Sequence, residues 1–278
     1  MTTKTIAITG ATGQFGAIAL NLLKAKQANV IALVRSPEKI LGVEARKFDY
    51  SKTEGQVEAL QGVDTLILVS SNEIGQRALQ HNNVIESAKK AGVKHIIYTS
   101  LLGATNDNTI KSLAGDHVET EAALKASGIT YTILRNGWYT ENYTASIPAA
   151  LANNAFYGSA KNGKISSALR AELAEAAVNV ALNEGHENQT YELAGSISWT
   201  LADLAAEISK QTGKDIPAAD YVAALVQAGL DEGFAGLIAQ WDVDASNGAL
   251  FSEDKTLEKL LGRPTAGLDV AVKQALAH

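Results

Sequence analysis

The run Thr5-Ile6-Ala7-Ile8-Thr9-Gly10-Ala11-Thr12-Gly13-Gln14-Phe15-Gly16 restricts what this chain can fold into more than any other part of it. An apolar stretch rich in β-branched residues reads as a buried strand, and a Gly-x-x-Gly-x-x-Gly series follows as a helical pattern takes over. Each glycine has its own task in such a strand, turn and helix. Gly10 allows the sharp turn, Gly13 lets backbone approach a pyrophosphate, and Gly16 lets the helix pack closely on the strand. A diphosphate then sits on N–H groups at the helix N-terminus, so Gly10, Ala11, Thr12, Gly13, Gln14, Phe15 and Gly16 form the candidate cradle. The competing reading is a glycine-rich turn without a ligand; the strand-to-helix context favours the dinucleotide turn.

The rest of the first half repeats the alternation. Phe15, Ile18, Ala19, Leu22 and Leu23 recur at helical spacing. Val30 to Val34 is a continuous apolar run that ends at Arg35-Ser36-Pro37, where dinucleotide folds place the group reading the adenosine ribose. An arginine there suits the 2'-phosphate of NADP; its other reading is a solvated cation beside a turn. Arg46 to Tyr50, Thr65 to Ser71, Lys94 to Ser100 and Thr130 to Asn136 read as four further strands, with helices over about Gln76 to Ala91 and His117 to Lys125. Ser70, Ser71 and Asn72 leave a strand on the fingerprint side, where they either line a cofactor cleft or cap the next helix.

Six strands alternating with helices define an α/β fold, a Rossmann-type doubly wound parallel sheet over residues 1–136. After Asn136 the alternation fades. Residues 137–278 read as a smaller, mainly helical C-terminal lobe, with the chain crossing back to the sheet around 166–195 and short helices over 220–278. Tyr191-Glu192-Leu193 reads as a short strand, and Thr200 with Asp203 resembles a capping box.

Composition removes several classes of function. A net charge of −6 disfavours nucleic acid and anionic membrane as partners, and zero cysteines exclude thiol catalysis and thiolate metal sites. Five histidines without paired ligand spacing give no metal motif, and no serine sits in a nucleophile elbow. The first strand begins right after Lys4, leaving no room for a signal peptide, and no apolar run approaches the roughly 20 residues of a membrane span. A cytoplasmic protein with a small-molecule substrate is expected, and self-association is left open.

The fingerprint, the strand-end Arg35, Tyr98-Thr99-Ser100 and Leu134-Arg135-Asn136-Gly137-Trp138-Tyr139-Thr140-Glu141-Asn142 together resemble the NmrA-like branch of atypical short-chain dehydrogenases, over essentially the whole chain. Within that branch, Ser70 to Arg77 and Asp242 to Ser246 look most like the bacterial NADPH:quinone oxidoreductases of the short-chain type; triphenylmethane-dye reductases look slightly more distant. The resemblance implies NADPH as cofactor, contacts from Ser70, Ser71, Asn72, Gln76, Thr99 and Ser100, and a quinone or similarly flat acceptor. It also supplies the alternative, a non-enzymatic NADP(H)-binding redox sensor acting through protein partners.

Typical short-chain dehydrogenases use a Tyr-x-x-x-Lys acid, whereas the helix after the fifth strand offers His117-Val118-Glu119-Thr120-Glu121. His117 is either a proton donor or a solvated or hydrogen-bonded group on a charged helix face. A quinone delocalises the arriving charge, so positioning supplies much of the catalysis. The sixth strand ends on the same sheet edge as Gly10 and Ser70, so Asn136, Gly137, Trp138 and Tyr139 are expected at the nicotinamide. Asn142 and Tyr143 are expected near the acceptor, with Trp138, Tyr139 and Tyr143 giving it aromatic surface; these rings also read as plain core.

Overall fold

Apolar runs become strands: β1 (Thr5–Thr9), β2 (Asn29–Val34), β3 (Glu44–Lys47), β4 (Thr65–Leu68), β5 (His95–Leu101), β6 (Thr130–Asn136), β7 (Phe156–Tyr157), β8 (Gln189–Leu193) and β9 (Ala218–Ala219). The helices are α1 (Gln14–Ala25), α2 (Gln56–Ala59), α3 (Arg77–Ala91), α4 (Lys111–Ala126), α5 (Glu141–Thr144), α6 (Ile147–Asn153), α7 (Arg170–Leu182), α8 (Leu201–Thr212), α9 (Glu232–Ser246), α10 (Thr256–Leu261) and α11 (Leu268–Leu276). The computed structural model describes residues 4–215, 218–219 and 232–277.

Two compact units result. The first holds residues 1–104, 111–136 and 171–192; the second holds 105–110, 137–170 and 193–278. The first unit is built on a seven-stranded sheet of order β3-β2-β1-β4-β5-β6-β8, with every pair from β3 to β6 parallel. This is the doubly wound Rossmann order, whose reversal at β1 and β4 opens a ligand crevice at the strand carboxyl ends. β4 and β5 are buried along their whole length, as strands covered on both faces must be. The second unit contains the β7–β9 pair and α5, α6 and α8 to α11. Thr200 and Asp203 form the expected capping box on α8.

Two strands end earlier than their composition suggests, and side chains are the reason. β4 stops at Leu68 because the next three amides turn from sheet carbonyls to side-chain acceptors. Val69 N–H donates to Thr9 Oγ1 (3.0 Å), Ser70 N–H to Thr99 Oγ1 (2.8 Å) and Ser71 N–H to His81 Nε2 (2.9 Å). The third strand lies at Glu44–Lys47 rather than reaching Tyr50. Phe48 N–H still bonds the Val34 carbonyl, but Tyr50 then turns inward and donates to Thr9 Oγ1 (2.7 Å) and the Val69 carbonyl (2.5 Å). Short helices hold for α10 and α11 only: α9 runs for 15 residues, and residues 220–231 lie outside the described residues.

Gly16 sits where β1 feeds α1, and a Cβ there would lie 2.2 Å from the Gly10 carbonyl oxygen. Alanine gains about 1 kcal/mol of helix propensity over glycine, but backbone at that distance cannot give way. Gly16→Ala is expected to lose about 1–3 kcal/mol in urea denaturation; an unchanged or raised midpoint would contradict the packing.

Candidate functional site

The glycine turn has the geometry of a phosphate cradle. Gly10 takes φ +60°, a left-handed conformation that glycine adopts without strain, and its carbonyl accepts the Gly13 N–H at 2.9 Å. Gly13 is the N-cap of α1, and no side chain caps that helix terminus. Thr12, Gly13 and Gln14 are exposed, whereas the Ala11 and Phe15 side chains are buried and shape the turn from beneath. The donor set thus fits a diphosphate, with backbone N–H groups and the positive end of a 12-residue helix. Below the turn, Tyr50 locks Thr9 to β4; burial pushes its phenol far above the usual range, so it stays neutral.

Arg35 follows β2 and lines an open cavity of about 540 Å³ with Arg46, Lys47, Asp49 and Lys52. Arg46 is already held by Glu44 (2.7 Å) and by the Ala59 and Gln61 carbonyls (2.9 and 2.7 Å). Asp49 is kept below the usual carboxylate range by the Ser51 N–H, with Lys52 and Arg35 contributing. Glu54 and Glu58 line the same cavity, and Arg35 stands exposed at the second strand end.

The Ser70 to Gln76 loop does something the composition did not reveal. Neither Ser70, Ser71 nor Asn72 caps the following helix: the N-cap of α3 is Gln76, without a side-chain cap. Ser71 Oγ donates to Gln80 Oε1 (2.5 Å), and the Ser71 carbonyl accepts from Arg77 Nε (2.5 Å), so Ser71 is a buried anchor of the loop. Asn72 and Gln76 are exposed. Thr99 is buried, and its hydroxyl oxygen holds the Ser70 amide; Ser100 is buried and donates to Glu121 Oε1 at 2.6 Å.

His117 is not on a solvated helix face. It is 5% exposed, with Nδ1 2.7 Å from the Tyr98 hydroxyl and Nε2 3.3 Å from Arg77 Nη1. A guanidinium only donates, so His117 Nε2 accepts and the proton sits on Nδ1. His81 is fixed in the same way: Ser71 N–H occupies Nε2, and Nδ1–H points to Thr120 Oγ1 at 3.1 Å. Burial, aided by the Arg77 charge, depresses both imidazoles to about 3. His117 is thus a buried, hydrogen-bonded ring rather than a solvated group. Four residues on, Glu121 grips Arg135 through both carboxylate oxygens (2.9 and 2.7 Å), and Arg135 also reaches Glu192 at 2.8 Å. The His117 and Glu121 side chains of α4 are thus both buried and hydrogen-bonded.

Asn136 ends β6 with an opposite character. It is 4% exposed, and both side-chain amide atoms are buried without a hydrogen-bond partner among the described residues. Such a group demands a partner of its own kind, as a carboxamide ligand would be.

In the second unit, Gly137 is required by packing, because a Cβ there would lie 2.7 Å from the Leu193 carbonyl. Trp138 stands edge-on to Trp241 (5.6 Å between centroids), Tyr143 stands edge-on to Trp199 (5.2 Å), and Arg170 lies over the Tyr139 ring at 4.6 Å. Trp138, Tyr139, Tyr143 and Trp241 are half-buried, and Asn142 is exposed. Sequence reasoning missed Trp199 and Trp241, although the chain has only three tryptophans and their rarity was a usable signal.

Comparison with known proteins agrees with this geometry. The NAD(P)H-binding family model matches residues 10–184. Quinone oxidoreductase 2 of Escherichia coli is 51% identical over 279 residues, spanning 96% of this chain and 97% of that protein. The crystal structure of the E. coli NADPH-dependent quinone oxidoreductase complexed with NADPH matches with a TM-score of 0.92 at 48% identity, covering 98% of this chain and 99% of that one. Triphenylmethane reductase of Citrobacter sp. matches with a TM-score of 0.93 at 36% identity, covering 99% and 100%. An NmrA-like family domain-containing oxidoreductase of Aspergillus flavus is 32% identical, spanning 98% and 94%. The chain belongs to the NAD(P)H-binding family, in its NmrA-like group.

The buried neutral histidines tie stability to pH. Their folded pKa values are depressed, to about 3 for His81 and His117 and, through burial, to about 4 for His95. The unfolded chain protonates near 6.5 while the folded chain does not, so stability is complete above that pH and falls as acid is added. Unfolding free energy should drop by up to about 1.4 kcal/mol per pH unit per histidine below pH 6.5. A urea midpoint that is flat from pH 7 to 5 would refute the neutral assignment.

Proposed function

We propose that the protein is an NADPH-dependent reductase that passes hydride to quinones or similarly flat electron acceptors. The observation that carries this reading is the near-full-length similarity to the E. coli quinone oxidoreductase, joined to a glycine turn shaped for a dinucleotide. NADPH supplies the hydride. The Gly10 to Gly16 turn holds its diphosphate, and Arg35 takes the 2'-phosphate through a charge-assisted contact. The unpaired Asn136 amide, with Gly137, Trp138 and Tyr139, borders the nicotinamide end. Trp138, Tyr139 and Tyr143 present aromatic surface to a flat acceptor, and the exposed Asn142 adds a polar contact. Ser70, Asn72 and Gln76 edge the cofactor groove, while Ser71, Thr99 and Ser100 support it from beneath. Among the described residues no helix is long and apolar enough to cross a membrane, and the reading places the protein in the cytoplasm with a small-molecule acceptor. Reduction of triphenylmethane dyes is the second reading, favoured by the match to the Citrobacter enzyme.

Two measurements test this. In calorimetric titration, Arg35→Ala should weaken NADPH binding by about 10- to 100-fold, the size of one charge-assisted contact, and leave NADH unchanged; equal losses for both would remove Arg35 from the site. In an assay following NADPH absorbance with benzoquinones and naphthoquinones, Trp138→Ala should impair turnover with fold and NADPH affinity retained. His117→Asn should lower the melting temperature and keep most turnover. No turnover with any quinone would shift the reading to the dyes or, failing those, to a redox sensor.

A further inference from the structure

Asp242 is a buried acid in the second unit that the reading above leaves idle. It lies on α9 next to Trp241, 6% exposed. One carboxyl oxygen accepts the Ser159 N–H at 2.8 Å, and the carboxyl group shares a hydrogen bond with the Tyr143 hydroxyl. The surrounding packing makes this arrangement rigid. A Cβ at Gly158 would lie 2.3 Å from Leu201 Cδ1 and 3.4 Å from Asp242 Oδ2, and one at Gly163 would lie 2.5 Å from the Ala245 carbonyl on α9. The loop carrying Ser159 is therefore pressed against the helix carrying the acid.

An asparagine carbonyl would accept the Ser159 N–H in the same place, and its NH2 would donate to the Tyr143 oxygen, without the penalty of burying an ionisable group. Asp242 has no ion-pair partner among the described residues, and burial alone drives its carboxyl upward against the two hydrogen bonds that favour ionisation. An acid kept at a buried site where an amide would serve, and linked to a half-buried tyrosine among tryptophans, has the form of a proton handler.

We propose that Tyr143 and Asp242 form the proton path of the acceptor reaction, with Tyr143 the group that touches the acceptor oxygen and Asp242 a positioning residue behind it. The inference rests on the quinone-reductase reading. Hydride addition breaks a quinone C=O π bond, directly or through the conjugated ring, and leaves a negative charge on one oxygen. The Tyr143 O–H bond breaks, and its proton forms the hydroquinone O–H. The Asp242 carboxyl proton passes to the Tyr143 oxygen, and water returns a proton to the carboxylate. The sum is quinone plus hydride plus one solvent proton giving hydroquinone. Proton delivery accompanies hydride transfer, so both are read in the rate of NADPH oxidation.

The test compares wild type with Asp242→Asn, Tyr143→Phe and the double variant. Quinone affinity is read without NADPH from quenching of tryptophan fluorescence, and chemistry is read from single-turnover NADPH oxidation in H₂O and D₂O. Asp242→Asn keeps the acceptor for the Ser159 N–H and faces Tyr143 with an amide, so melting temperature should hold and quinone Kd should stay within about twofold of wild type, while the single-turnover rate falls about tenfold or more. Tyr143→Phe should fall similarly, the double variant no further, and the solvent isotope effect of the wild type should vanish in all three. An unchanged rate in Asp242→Asn, multiplying losses in the double variant, or a loss that follows melting temperature and quinone Kd would overturn the proton path while leaving the reductase reading intact. A wild type that turns over no quinone would overturn both.

Discussion

The Gly10 carbonyl is where β1 and α1 meet most closely. It receives the Gly13 N–H at 2.9 Å, and the Gly16 backbone comes so close that no Cβ fits between them. This contact sets the angle at which α1 leaves β1, and that angle aims the helix N-terminus at the carboxyl edge of the strands. Because parallel strands share direction, every βα loop then opens on the same edge, where the strand order reverses between β1 and β4. The cofactor groove is a consequence of chain direction and one close backbone approach, before any polar side chain acts.

Side chains then shape that edge by taking over backbone amides. Thr9, Thr99 and His81 accept the N–H groups of three successive residues after β4, which draws residues 69–71 out of the ladder without leaving a buried donor unpaired. His81 can do this only as a neutral imidazole with Nε2 free to accept, and burial, aided by the nearby Arg77 charge, keeps it so. His117 is likewise held neutral by burial, with help from the same cation, and bridges Arg77 to Tyr98. Protonating either ring would remove an acceptor from a buried donor, so the loop geometry and the charge state of the histidines are one property.

The ion cluster of Arg135, Glu121 and Glu192 ties α4 to β6 and β8. Removing one member of such a buried set would leave an uncompensated charge, which holds the cluster together more firmly than its net energy suggests. Ser100 and the Gly103 N–H complete its hydrogen bonds, at 2.6 and 2.8 Å. In the second unit, the paired rings Trp138–Trp241 and Tyr143–Trp199 and the buried Asp242 form a separate group of aromatic and ionisable side chains.

What the amino-acid order determined by itself is what depends on near neighbours. The apolar runs of β1, β2, β5 and β6, the glycine spacing, Arg35 at a strand end and the Thr200–Asp203 cap all arise within a few residues, so their geometry is written in local spacing. Strand ends at Leu68 and Lys47 were legible only to within a few residues, because Thr9, Thr99, His81 and Tyr50 decide them from distant positions. The place of His117 was hidden for the same reason: α4 has charged residues all along it, and only its packing reveals that this ring faces Tyr98 and Arg77, the latter 40 residues away. Asp242 lies 99 positions after Tyr143, a separation that no periodicity spans. Tertiary structure alone brings such groups into contact, since burial turns a polar side chain into a partner only when the fold has excluded water from both.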